Sequence, residues 1–377
     1  MKIVIACDSF KEAISAKQAC YAIKKGIEQV FPDAEIVQVP MADGGEGTTE
    51  ALIDASQGSY HRIQVQGPLG DEVQARYDLL GDGQTAVIEM ASASGIHLVK
   101  KENRNPLLAS TYGTGQVIKT CLDQGIRSFI LGIGGSATND GGAGMAQALG
   151  YRLLDKKGKE IALGNQGLAH LDRIDSYSAH PALAEARFKV ACDVNNPLYG
   201  PQGASAVFGP QKGATSEMIA HLDANLEHFS RIIYRDLGRE VAHVAGAGAA
   251  GGLGAGLLAF TQAELQRGID IVIETVHLKE ALEGVDICFT GEGQIDHQTQ
   301  YGKTPFGVMR LAKKVAPQSK VIALCGSVGK EIENLYQLGF DGIFSITPGP
   351  SSLEDLLPDT QENLTASSRA ISQMLLK

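Results

Sequence analysis

The chain has 377 residues, with 33 Lys and Arg against 43 Asp and Glu, and no Trp. A net charge of −10 argues against a nucleic-acid protein, whose footprint is basic. Hydrophobic residues make up 44%, which excludes wholesale disorder, and the length fits two domains. Glycine is in excess, 45 of 377 residues against a usual ~7%, and that excess needs a structural reason.

Residues 2–7 form a continuous apolar run, fit for a strand buried on both faces. Ala19, Ala22, Ile23, Ile27 and Val30 have a helical period, which predicts a helix over 15–31. A strand over 35–40 and a short helix over 46–55 follow. Runs at 61–66, 73–80 and 85–90 are joined by Gly-rich turns and predict an antiparallel meander. Strands are expected at 128–133 and 187–192. Met218, Leu222, Leu226, Phe229 and Ile233 mark an amphipathic helix. The C-terminal part returns to alternation, with strands at 286–290, 320–325 and 342–346 and helices at 304–315, 330–338 and 360–376. The implied fold class is α/β. Residues 1–60 and 285–377 form a doubly wound parallel sheet, and 61–284 form an inserted mixed α/β domain.

The first apolar run stops at Asp8, too short for a signal-peptide core. Residues 243–263 carry no charge and show small-xxx-small spacing at Gly248, Gly252 and Gly256, but are too glycine-rich for a membrane span. Cys7, Cys20, Cys121, Cys192, Cys288 and Cys325 include no C-x-x-C pair. They read as buried reduced thiols of a cytoplasmic protein.

Glycine collects in segments that follow expected strands, often beside a carboxylate or a hydroxyl. These segments are Asp8-Ser9-Phe10-Lys11, Ala42-Asp43-Gly44-Gly45-Glu46-Gly47-Thr48, Gly291-Glu292-Gly293-Gln294-Ile295-Asp296 and Gly326-Ser327-Val328-Gly329. The inserted domain adds Gly134-Gly135-Ser136-Ala137-Thr138-Asn139-Asp140 and the Gly246–Gly252 loop. Ligands of open α/β sheets bind at the carboxyl ends of strands, where glycine lets backbone N–H groups approach an anion. Carboxylates beside a phosphate imply Mg²⁺.

Two motifs mislead. Gly246-Ala247-Gly248-Ala249-Ala250-Gly251 fits a dinucleotide fingerprint, but Asp270 opens the next apolar run instead of closing it. Gly302-Lys303-Thr304 resembles the end of a Walker A loop, but His297 stands where its first glycine belongs. His221 and His228 form no metal pair, and no G-x-S-x-G elbow is present.

These segments, together with Ala191-Cys192-Asp193-Val194 and Phe208-Gly209-Pro210-Gln211-Lys212-Gly213-Ala214, closely resemble bacterial glycerate kinases of the type-1 family. Two positions depart from that pattern: Cys7 replaces a usual Pro, and Gln294 replaces a usual Arg. The resemblance implies a flavodoxin-like domain and transfer of the ATP γ-phosphoryl to D-glycerate in the cleft between two domains, giving mainly 2-phosphoglycerate. ATP and Mg²⁺ would be the cofactors and glycerate the partner, with no nucleic acid and no membrane; a homo-oligomer stays open.

Lys11, Asp193 and Asp296 are the candidate catalytic residues, and Asp43 and Asp296 the candidate metal ligands. Asp8, Ser9, Gly44, Gly45, Glu46, Gly134, Gly135, Ser136, Asn139, Asp140, Lys212, Gly291, Glu292, Gly293 and Lys303 are candidates for substrate or nucleotide binding. The alternatives are the same kinase giving 3-phosphoglycerate, a kinase for another hydroxy acid, an NAD-dependent dehydrogenase built on the Gly246 loop, and a non-catalytic phosphometabolite-binding protein.

Overall fold

A computed structural model of the chain describes residues 1–43 and 48–376. The chain divides into two compact units, Met1–Gln57 with Gly268–Lys377, and Gly58–Arg267. The sequence reading put the return crossing at 284/285. It falls earlier because the apolar run after Asp270 is a helix, Gly268–Thr275, which packs within the first unit. Its Ile269 lies against Gly307 and its Asp270 pairs with Arg310 at 3.2 Å, both on the Thr304–Val315 helix.

In the first unit, Lys2–Cys7, Glu35–Gln38, Ile287–Ile295, Lys320–Val328 and Gly342–Ser345 form one parallel sheet. Numbered along the chain, their order is second, first, third, fourth, fifth. This is the flavodoxin-like order, with its switch point between Lys2–Cys7 and Ile287–Ile295. Ile3 through Cys7 are wholly buried, which is why the strand reads as an unbroken apolar run. The helices Ala16–Glu28 and Thr360–Leu375 cover one face, and a Cβ on Gly26 would strike Ser368. The Thr304–Val315 helix lies against the other face, burying Val308, Met309 and Ala312.

The third and fourth strands run farther than expected. Residues 291–295 and 326–328 were read as loops, yet the ladder continues through Gln294↔Ser327 and Ile295↔Val328. Their glycines serve close approach between strands. A Cβ on Gly291 would strike the Leu324 carbonyl, and one on Gly326 would lie 2.8 Å from the Gly293 carbonyl.

The second unit is built on a six-stranded sheet ordered Ala263–Gln266, Arg187–Ala191, Ser128–Gly132, Thr85–Glu89, Glu72–Leu79, Ser59–Gln66. The first four strands are parallel. The last three form the expected antiparallel meander. Arg152–Leu154 and Arg173–Asp175 make a separate small sheet. Phe129 and Phe188, partners on neighbouring strands, stack at 4.5 Å. Leu222, Leu226, Phe229 and Ile233 of the Ser216–Leu237 helix are fully buried, matching their helical period.

The glycine-rich stretch after residue 245 neither spans a membrane nor opens a dinucleotide fold. Among the described residues no helix is long and apolar enough to cross a membrane. Residues 239–248 contain no strand, so the fingerprint lacks its context. Ala250, Gly251 and Gly252 are left-handed, with φ of 53°, 69° and 88°, where the Ala249–Phe260 helix begins. The loop is pressed backbone to backbone on residues 138–142: Gly141 N–H donates to the Gly251 carbonyl at 3.0 Å, and a Cβ on Gly251 would strike the Thr138 carbonyl.

Gly238 has φ 67° with open space around it. Gly238→Ala should therefore cost only the left-handed penalty, about 1 kcal/mol. Gly251→Ala adds a backbone clash and should cost at least ~2 kcal/mol more. Urea unfolding of both variants checks this; equal losses would mean that the loop is not tightly packed.

Candidate active site

Parallel pairing places two carboxylates together. Asp8 follows Lys2–Cys7, and its N–H donates to the Gly291 carbonyl at 2.9 Å. Cys7 pairs with Gly291 in register, so Glu292 stands beside Asp8 on the neighbouring strand. This is the switch point of the sheet, at the carboxyl ends of its strands.

Both carboxylates meet the segment that enters the Thr304–Val315 helix. The Thr304 hydroxyl donates to Asp8 Oδ2 at 2.6 Å, while Ser9 N–H and Oγ donate to Oδ1 at 2.6 and 3.3 Å. The Thr299 hydroxyl donates to Glu292 Oε1 at 3.3 Å. Lys303 Nζ lies 3.5 Å from Glu292 and 4.0 Å from Asp296, and donates to the Gln294 carbonyl at 3.3 Å.

Asp8 and Glu292 are each 8% exposed. Burial pushes Asp8 up to about 6, with Asp43 adding to the rise and Thr304 and Ser9 opposing it. Burial pushes Glu292 up to about 7; Lys303 opposes this and Asp8 reinforces it. Asp43 thus acts on Asp8 and Asp8 acts on Glu292, each favouring the neutral acid. A strand-end site holding such groups beside a cation is built for moving a proton near neutral pH.

Asp296 is committed differently. It N-caps the His297–Tyr301 turn, accepting from Gln298 N–H at 2.8 Å, with a reciprocal bond through Thr299. Lys11 is exposed, and Asp43 is half-buried at the end of a short coil. Gly291 and Gly293 sit inside a strand rather than in a loop. Gly44, Gly45 and Glu46 lie outside the described residues.

The second unit gathers Gly134, Gly135, Ser136, Asn139, Asp140 and Lys212 around one loop after the Ser128–Gly132 strand. Only part of this set faces outward. Gly134 and Gly135 are exposed, and their N–H groups donate to nothing among the described residues. Asn139 and Asp140, read as ligand contacts, are instead fully buried beneath the loop.

Asp140 Oδ2 accepts from Thr111 N–H and Oγ1 at 2.8 and 2.9 Å and from Gly144 N–H at 3.2 Å. Its Oδ1 accepts from Gly142 N–H at 3.2 Å. These donors oppose the upward shift that burial imposes on it. Asn139 Oδ1 accepts from Ser205 at 3.1 Å.

Lys212 was read as a phosphate contact, yet it is 2% exposed. Its ammonium donates to Ser136 Oγ and the Thr138 carbonyl, both at 2.7 Å, and so holds the loop from within. Burial depresses it to about 7, with Asp140 opposing. Asp193 is exposed after the Arg187–Ala191 strand.

Comparison with known proteins now decides the family. The model of the glycerate kinase family matches residues 3–376. The chain is 50% identical over 375 residues to a glycerate kinase of Haemophilus influenzae, covering 100% of this chain and 99% of that one. It is 48% identical over 375 residues to a glycerate 2-kinase of Escherichia coli, covering 100% and 98%. A solved structure from Salmonella typhimurium LT2 carrying the name glycerate kinase 2 aligns with a TM-score of 0.90 at 47% identity, covering 100% of this chain and 98% of that one. The chain belongs to the glycerate kinase family. It is therefore an enzyme, a kinase.

Sequence reasoning missed two residues of this candidate site, Thr299 and Thr304. The Gly302-Lys303-Thr304 triplet is no P-loop, and of its three residues only Lys303 is a candidate in the sequence. It nevertheless enters a helix beside the strand ends and supplies a cation to one carboxylate and a hydroxyl to the other. That position at a helix start was the available signal.

The raised Glu292 has a consequence for folding. Its carboxyl goes from an ordinary 4.5 to about 7 in the fold, so the native state holds a proton that the unfolded chain releases. The stabilisation this gives is complete below pH ~4.5 and is lost as pH rises through about 7. Glu292→Gln removes that loss. The variant should gain roughly 2–4 kcal/mol relative to the parent on going from pH 5 to pH 8. Urea midpoints at both pH values check this; a difference that does not change with pH would mean an ordinary carboxyl.

Proposed function

We propose that the protein transfers the γ-phosphoryl group of ATP to the 2-hydroxyl of D-glycerate, giving ADP and 2-phosphoglycerate. The reading rests on the buried Asp8–Glu292 pair beside Lys303 in a chain of the glycerate kinase family. The choice of the 2-hydroxyl follows the relative named glycerate 2-kinase.

In the step itself, the glycerate hydroxyl oxygen bonds to the γ-phosphorus while the bond from that phosphorus to the β,γ-bridging oxygen breaks. The hydroxyl proton passes to a carboxylate, and ADP departs. Glu292 takes that proton, since a base near pH 7 is ionised often enough and basic enough to accept it. Asp8, held by Ser9 and Thr304, orients the hydroxyl. Lys303 keeps Glu292 from drifting further toward the neutral acid. Lys11, exposed at the end of the first strand, is the cation for the transferring phosphoryl, where charge neutralisation does most of the catalytic work. In the second unit, the free N–H groups of Gly134 and Gly135 form an anion-binding turn.

Among the described residues no three His, Cys, Asp or Glu side chains converge as a metal cage. Mg²⁺ fits this chemistry nonetheless, because it keeps several waters and uses one or two carboxylates together with phosphate oxygens. Asp8, and Asp43, close enough to raise the charge cost of Asp8, are the residues that would hold it. It would neutralise phosphate charge. The six unpaired cysteines, five of them buried, suit a reducing compartment such as the cytoplasm.

Glu292→Gln should lower kcat at least ~100-fold with KM for glycerate changed little. Parent kcat/KM should rise with pH through about 7 and then level, and the variant should lose that rise. Product is read with enolase and its reporter, with and without phosphoglycerate mutase. Signal without mutase is expected. Signal only with mutase means the 3-phosphate, and normal turnover of the Gln variant removes Glu292 as the base.

A further inference from the structure

Beside the acidic pair, within the first unit, lies a cavity of about 370 Å³. It opens at the same strand ends but on the other side of the sheet. Successive residues of a strand face opposite ways. Glu292 faces Thr299 and the Thr304–Val315 helix, whereas the cavity is walled by Phe10, by Ile346 after the last strand, and by Leu356, Leu357 and Asn363. Asn363 belongs to the Thr360–Leu375 helix on that opposite face.

The rim between cavity and acidic pair is backbone. Gly293 and Gly326 line it, and a Cβ on Gly293 would meet nothing nearer than Lys11 N at 3.9 Å. Lys11 also lines the cavity, on the side of the first strand.

Glycerate, a three-carbon acid with no apolar face, is too small and too polar for this space. The size falls in the ~300–1,000 Å³ range of ligand and cofactor sites, and the lining joins an aliphatic wall to the hydroxyls of Ser327, Thr347, Ser351 and Thr360. Asn363 adds an amide to these. Its side-chain amide is half-buried and makes no hydrogen bond within the chain among the described residues. An amide offers a donor and an acceptor side by side, which matches the edge of a purine base.

We infer that this cavity holds the adenosine part of the phosphoryl donor. The base lies among Ile346, Leu356 and Leu357 with its polar edge on Asn363, and the phosphates cross the glycine rim past Lys11 toward Asp8 and Glu292. The inference rests on the ATP-dependent reading above and adds where the base is read. Base affinity then comes from residues 346–363, outside the segments that carry the family motifs.

Calorimetric titration of ADP, with no glycerate present, tests the site apart from turnover. Leu356→Trp fills the cavity and should weaken ADP binding at least tenfold. It should raise KM for ATP equally while KM for glycerate stays within about twofold. Asn363→Leu, a change at a half-exposed position, carries the test if the Trp variant fails to fold. It should cut the preference for ATP over ITP, whose base lacks the exocyclic amino group, to near unity. Parent-like ADP affinity in a folded Leu356→Trp variant, an unchanged ATP/ITP ratio in Asn363→Leu, or no ADP binding by the parent would each overturn the inference. Failure of the functional reading looks different: ADP binds, the variants weaken it as expected, and glycerate is not phosphorylated.

Discussion

Taking two neighbouring carboxylates out of water is the constraint around which the first unit is arranged. Parallel pairing in register gives no choice about their proximity: once Cys7 pairs with Gly291, Asp8, just past the end of one strand, stands beside Glu292 inside the next. Neither can stay fully ionised without help, because burial favours the neutral acid in both, with Asp43 adding to it at Asp8 and Asp8 adding to it at Glu292. The help comes from one short segment. Thr299, Lys303 and Thr304 supply two hydroxyls and one ammonium within a few residues, and the helix they lead into is held by the sheet face beneath. The cation is enough to keep Glu292 titratable but not enough to fix its charge, and that balance suits a group that must accept a proton and release it again.

The second unit meets the opposite problem with the same means. It presents exposed backbone N–H groups at Gly134 and Gly135, and a loop that does so has few side chains to hold it still. Its rigidity is built underneath. Asp140 collects N–H and O–H donors from both sides of the loop, Lys212 ties Ser136 to the Thr138 carbonyl, and the left-handed residues at 250–252 let a second backbone press against the first. Charged residues that look like ligand contacts in sequence are here the foundation for uncharged ones. The depressed Lys212 is the cost of such burial, and its bonds to Ser136 and Thr138 offset part of it.

Much of this was legible in the sequence. Strands buried on both faces leave unbroken apolar runs, so the parallel sheet and its split between the chain ends could be read directly, as could the antiparallel meander from its alternation and Gly-rich turns. The clustering of functional groups after strands was visible as well. What glycine was doing was not. At Gly135 it is a left-handed turn, at Gly251 a contact between backbones, and at Gly291 and Gly326 a member of a strand that a Cβ would push apart. All three leave the same letter. Nor could sequence separate Asp296, which caps a turn, from Glu292, which is buried, since both are acids one strand-end apart. That distinction depends on where the strand stops: Glu292 lies inside Ile287–Ile295, whereas Asp296 is the first residue past it and caps the next turn.

If the cavity holds the nucleoside, the sheet would let binding and chemistry be tuned separately. Alternation along Ile287–Ile295 sends Glu292 to one side and leaves Gly293 open on the other, so the acidic pair and the aliphatic cavity share a strand without sharing side chains. Apolar contact with a nucleoside, made away from the reacting phosphorus, would be equal in the ground and transition states, so it would hold the donor in place and lower its KM without changing kcat. A change in the cavity wall should then act through occupancy and a change at the acidic pair through rate. A flavodoxin-like sheet suits this division because its switch point opens both faces of neighbouring strands at one end.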